Sequence, residues 1–283
     1  MKIVICPKVK EIRSTVAGST RKIVENPKMK VAPKVILLFD DADGLGSAFY
    51  GALQPNLGSN LKILNNSFEL SLERYGVKDR KASGQILHFL NANGLYEVSI
   101  LLLQNYEPPI LACALNEVLM SLAGVDFSTM PTLVVPFVVP ESKLKLENRY
   151  LVTSEEYSVY GIKLGPTTDV TQDLSSTLQT PPPSMKINHE NLACLLHLAN
   201  VIKLPTLVLI GRSSQHLLHK TNKEELEVKP LFKSLIAYFS VHCNLNTYIV
   251  FCLRYGDIMM ILQYESYVAV FVPQAVSWYG FKN

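Results

Sequence analysis

The chain has 283 residues, of which 48% are hydrophobic and 18% charged, and its net charge is +3. This hydrophobic fraction excludes a disordered protein, and so small a charge excludes a nucleic-acid binder built on a broad basic surface. Its five cysteines (Cys6, Cys113, Cys194, Cys243 and Cys252) are odd in number, scattered and without a CxxC pair, so neither a zinc site nor a disulfide framework is expected.

Residues 1–34 carry nine Lys/Arg against Glu11 and Glu25 and are expected to form a solvated basic arm. Met1 to Cys6 is followed by Pro7 and Lys8, too short an apolar stretch for a secretory signal. Together with the unpaired cysteines this points to a reducing compartment, the cytosol or the nucleus.

An α/β domain is expected over residues 35–228. Val35 to Phe39 is a continuous apolar run of buried-strand type, followed by the turn Asp40-Asp41-Ala42-Asp43-Gly44-Leu45-Gly46 and a short helix from Ser47. Leu61 to Leu72 reads as one or two short strands broken at Asn65-Asn66. The spacing predicts a helix over Asp79 to Asn93, with Ile86, Leu87 and Leu90 inward and Gly94 ending it. Val98 to Leu103 is a second strand. A helix opens after Pro108-Pro109, with Leu111, Leu115, Val118, Leu119 and Leu122 on one face and Gly124 closing it.

Thr132 to Val139 is a third strand, in which Pro136 requires an edge position or a bulge. Residues 165–185 are rich in Ser, Thr and Pro without apolar periodicity and are expected to be a loop. The clearest unit follows. Leu192, Leu195, Leu196, Ala199 and Ile202 define an apolar helix face, and the link Lys203-Leu204-Pro205 leads into the buried strand Thr206 to Ile210. Strands alternating with helices predict a three-layer α/β/α sandwich with a mainly parallel sheet.

Beyond it, Thr221 and Glu224 form a capping box for a helix that Lys229-Pro230 stops. Residues 229–283 then read as an anomalous apolar tail, with runs at Tyr248 to Leu253, Ile258 to Leu262 and Tyr267 to Val272 and six of the 13 tyrosines. His242, Asn244 and Asn246 interrupt Leu235 to Leu253, so no membrane span is expected there.

Few residue patterns carry chemistry. His189-Glu190 begins like a zinc-protease motif, but Ala193 stands where the second histidine would be. His189 is read as an exposed first-turn residue and His197 as an inward core histidine. His216 and His219 lack a companion ligand cluster. Ser213-Ser214 has no Gly-x-Ser-x-Gly elbow, and Gly44-x-Gly46 no third glycine. No catalytic, cofactor-binding or metal-ligating residue is assigned.

Asp41-Ala42-Asp43-Gly44 after a buried strand resembles the first motif of haloacid-dehalogenase-type phosphatases. The resemblance implies Asp41 as nucleophile and magnesium ligand and Asp43 as general acid/base. Leu45 replaces the motif's Thr, and Gly256-Asp257 only faintly matches the last motif. Acidic Gly-rich turns also follow strands for purely local reasons.

Leu192 to Ser214, an apolar helix followed by Lys-Leu-Pro and TLVLIG, resembles the corresponding unit of the proteasome assembly chaperone 1 family. The upstream order VILLF, VSILLL, helix, TLVVPFVV and a polar loop is similar too, so the resemblance covers about Val35 to Glu227. It implies a non-enzymatic α/β chaperone without cofactor or metal. Its partners would be a second assembly chaperone, as a heterodimer, and proteasome α subunits, without nucleic acid or membrane. The family's C-terminal hydrophobic-Tyr-any motif has no match in Gly280-Phe281-Lys282-Asn283.

Overall fold

A computed structural model describes residues 29–40, 45–52, 60–123, 130–145, 159–213, 258–263 and 268–273. The expectations for residues 1–28, Asp41 to Gly44, Gly124, His216, His219, the Thr221 capping box and Gly280 to Asn283 fall outside them.

The elements in chain order are β1 (Lys34–Phe39), α1 (Leu45–Ala52), β2 (Lys62–Ser71), β3 (Lys81–Leu90), β4 (Tyr96–Leu103), α2 (Ile110–Ala123), β5 (Thr132–Pro140), β6 (Leu144–Lys145), β7 (Tyr160–Leu164), α3 (Asp169–Thr177), β8 (Lys186–Ile187), α4 (Glu190–Ile202) and β9 (Thr206–Ser213). Seven strands form one sheet in the order β2-β3-β4-β1-β5-β9-β7. At its centre β4, β1, β5 and β9 are parallel, while β3 and β7 are antiparallel to their neighbours. Since β2 is antiparallel to β3, it runs with the central four. The sheet is mixed, with one dominant strand direction.

Alternation along each central strand sends side chains into two cores. Val35, Leu37 and Phe39 join Leu115, Val118, Leu192 and Leu195 beneath α2 and α4. Ile36 and Leu38 join Phe49 of α1 and Leu174 of α3 on the opposite face. Helices therefore cover both faces, as the continuous apolar runs require. Gly46 lets α1 approach, because a Cβ there would lie 1.9 Å from the Phe39 carbonyl oxygen.

The expected helix over Asp79 to Asn93 is instead β3. Ile86 enters one core and Leu87 and Phe89 the other, so a strand buried on both faces produced an apolar run that helical spacing also fits. Gly84 is needed in the strand because a Cβ would fall 2.2 Å from the Leu102 carbonyl oxygen. Gly94, at φ 76°, turns the chain between β3 and β4 and donates its N–H to the Asn91 carbonyl. β2 is one continuous strand through Asn65-Asn66, which pair with Leu87 and Ile86.

Pro136 lies in a central strand, yet the pairing of β5 with β1 ends at Val134, so at Pro136 only β9 is a neighbour. Within the expected loop 165–185 the chain forms α3. Its N-cap Thr168 and Thr171 bond reciprocally, and Leu174 is buried. Thr171 stands at N3 in place of the usual Glu/Gln of the capping box, which hid this helix. Residues 29–33, expected in the basic arm, are tied to the sheet: Ala32 is buried, and the Pro33 carbonyl accepts the Thr132 N–H at 2.8 Å.

Past β9, β10 (Ile258–Gln263) and β11 (Val268–Pro273) form a separate antiparallel pair coinciding with two of the expected apolar runs.

Candidate interaction surface at the amino end of the sheet

The two ends of the sheet differ in character. A helix that connects two parallel strands runs back against them, so the C-termini of α2 and α4, which lead into β5 and β9, lie at the amino end of the parallel strands. The β3–β4 turn and the start of β2 lie at that end too.

All five large apolar residues that are exposed among the described residues are there. They are Ile63 and Leu64 at the start of β2, Leu95 in the turn before β4, Met120 near the end of α2 and Val201 near the end of α4. Leu95 and Val201 are the most exposed of the five, at 62% and 63%.

The helices beside this end offer no counter-charge. In α2 the single charged residue, Glu117, is buried and paired with Arg74. Its outward positions are Ala112, half-buried Asn116 and Met120, one turn apart. The single acid of α4, Glu190, lies in its first turn, at the other end of that helix. Cys113 and Cys194 are half-buried free thiols, and Cys194 is pushed up to about 11, first by burial and then by Cys113, so it is protonated and unreactive at neutral pH. Charge enters this end from its strands and links, at the exposed Lys62 and Lys203, beside the helix face that carries Met120, a residue type enriched at protein interfaces.

At the carboxyl end of β1, Asp40 accepts a hydrogen bond from the Ser47 hydroxyl of α1. Asp41 and Asp43 follow it outside the described residues. His197 is exposed and not a core histidine: it lies about 140° round the helix from Leu192. His189 is the N-cap of α4, its Nδ1 accepting the Leu192 N–H at 3.4 Å and its ring packed edge-on to Phe137 at 5.6 Å. It is half-buried, not freely exposed. Among the described residues no group of three His, Cys, Asp or Glu is placed to hold a metal ion, and no helix is long and apolar enough to cross a membrane.

Residues 29–248 match the domain of unknown function DUF7894, and the chain belongs to that family. No curated protein sequence matches it. Similar solved structures include a PAC2 family protein from Streptomyces avermitilis, at 13% identity and TM-score 0.37 over 74% of this chain and 86% of that one. A proteasome-assembly chaperone homologue from Mycobacterium tuberculosis stands at 11% and 0.37 over 73% and 84%. An MTA/SAH nucleosidase from Streptococcus pneumoniae stands at 10% and 0.38 over 73% and 98%. Likeness of this degree assigns none of their activities to this chain.

Proposed function

We propose that this chain is a non-enzymatic assembly chaperone that holds protein partners at the amino end of its sheet. The observation that carries the reading is the gathering of Ile63, Leu64, Leu95, Met120 and Val201 at that one end. Exposed apolar residues gathered from four separate elements make this end the part of the described surface that a protein partner would gain most by covering. The resemblance of Leu192 to Ser214 to the proteasome assembly chaperone 1 family supplies the partner classes: a second assembly chaperone, in a heterodimer, and proteasome α subunits. The proposed compartment is the cytosol or nucleus. Affinity capture of the full chain with mass spectrometry tests this. Proteasome α subunits with one small α/β partner are expected, and recovery of neither overturns the reading.

A second reading, a magnesium-dependent phosphatase using Asp41 and Asp43, is favoured by their place in the sequence directly after β1. They follow β1 in the sequence, and β1 lies between β4 and β5 in a sheet of the type that places ligands outside the carboxyl ends of its strands. Magnesium-dependent hydrolysis by the wild type that is lost in Asp41→Asn would establish this reading and displace the first. The chaperone reading expects no such activity.

A further inference from the structure

Residues 29–33 cross the α2 side of the sheet before entering β1 and are held at three points. The Met29 N–H donates to the Ser121 carbonyl at 3.3 Å, the Ala32 N–H donates to Ser99 Oγ at 2.8 Å, and the Pro33 carbonyl accepts the Thr132 N–H. Ser99 is fully buried, and its Oγ also lies 2.8 Å from Nδ1 of His88, itself 3% exposed. A serine hydroxyl has one proton to give. The Oγ can accept two hydrogen bonds, but Nδ1 is the acceptor beside it for its own proton, so the arrangement that satisfies all three groups has the hydroxyl donating to Nδ1 of a neutral imidazole that carries its hydrogen on Nε2.

A proton on Nδ1 would turn this acceptor into a second donor aimed at Oγ, and the buried hydroxyl proton would lose its acceptor. The surroundings also disfavour a charged ring. From residues 29–33, the Lys30 ammonium lies 5.0 Å from the centre of the Tyr96 ring, which stands edge-on to His88 at 4.6 Å. From β2, the residue opposite His88 is Leu64, and Lys62 shares its face. From α2, the one charged group is Glu117, committed to Arg74. Burial first, and the Lys30 charge second, hold His88 below the usual histidine range.

We infer that His88, Ser99 and Ala32 form a proton-released latch, in which protonation of His88 releases the Ala32 anchor of residues 29–33. A histidine whose folded-state value is lowered contributes stability that is complete above its unfolded value, near ~6.5, and is lost as the pH falls below it. The closed latch therefore belongs to neutral pH, and mild acid opens it.

The test is NMR on the full wild-type chain, following the His88 ring and the Ala32 amide from pH 7.5 to pH 5. Both should move with one midpoint, and opening at Ala32, by hydrogen exchange corrected for intrinsic rate, should rise by up to about tenfold per pH unit through the loss. Ser99→Ala should leave Ala32 unprotected at every pH. An Ala32 amide indifferent to the titration of His88 would overturn the latch, as would full protection of Ala32 in Ser99→Ala.

Discussion

Arg74 Nε lies 2.6 Å from the Glu117 carboxylate, tying the 3-10 turn after β2 to the middle of α2. The pair is asymmetric: the Glu117 side chain is 2% exposed and that of Arg74 39%. Around it the Tyr75 hydroxyl accepts from Asn116 Nδ2 at 2.6 Å, and the Arg74 guanidinium stacks over the Tyr75 ring at 4.7 Å.

Removing the cation should cost more than removing both charges. Arg74→Met leaves a carboxylate in an apolar core and is expected to destabilise by up to about 3 kcal/mol, reduced from the fully buried case because Arg74 is partly solvated. The double variant Arg74→Met, Glu117→Leu should recover most of that loss. Urea unfolding of the four-member cycle measures both, and a double variant no more stable than Arg74→Met would show that the pair stabilises beyond its charges.

Gly46 makes a sterically sharper prediction. A methyl group at this position meets the Phe39 carbonyl oxygen, a backbone atom that cannot swing aside. Gly46→Ala should push α1 off β1 and destabilise by roughly 1–3 kcal/mol, although alanine is the better helix former. Gly51→Ala, in the same helix with open space around it, should be neutral or slightly stabilising. Thermal melts of the two variants separate packing from propensity.

The α4–β9 unit was legible because its two signals agree: a single apolar stripe ends at Lys203, which takes the left-handed C-cap at φ 59°, and a uniformly apolar strand follows. β3 was illegible for the opposite reason. Buried on both faces from Ile86 to Phe89, it loses the alternation that marks a strand, and its apolar residues fit a helix equally well. The proposed surface could not be read at all from spacing. Ile63, Leu95, Met120 and Val201 are far apart along the chain, and the strand order alone brings them to one end. The His88–Ser99 contact hides similarly, because it depends on the β3–β4 register.

The proposed surface should separate binding from folding. Met120 is 45% exposed and Val201 63% exposed, so Met120→Asp and Val201→Asp should cost no more than about 1 kcal/mol of stability, mostly because each carboxylate meets the negative end of its helix dipole. A desolvated aspartate in an interface would weaken capture of the partners strongly. Wild-type recovery of the same partners by both variants would place the binding surface elsewhere.

The chain after Val228 should be dispensable for the α/β core. Every strand of the seven-stranded sheet, and every described helix, precedes Arg212 or ends with β9 at Ser213. β10 and β11 pair with each other and with no strand of that sheet. A two-stranded hairpin has little stability of its own in water, and runs such as IMMILQ and VAVFVP are an aggregation hazard where nothing covers them. Truncation after Val228 is therefore expected to preserve a single cooperative melting transition and to raise soluble yield. The family match extends to residue 248, so a second truncation there distinguishes the contribution of residues 229–248 from that of the hairpin. A chain ending at Val228 that melts without cooperativity, beside one ending at residue 248 that melts normally, would assign core residues to the first part of the tail. Loss of cooperativity in both would assign them to residues 249–283, which include β10 and β11.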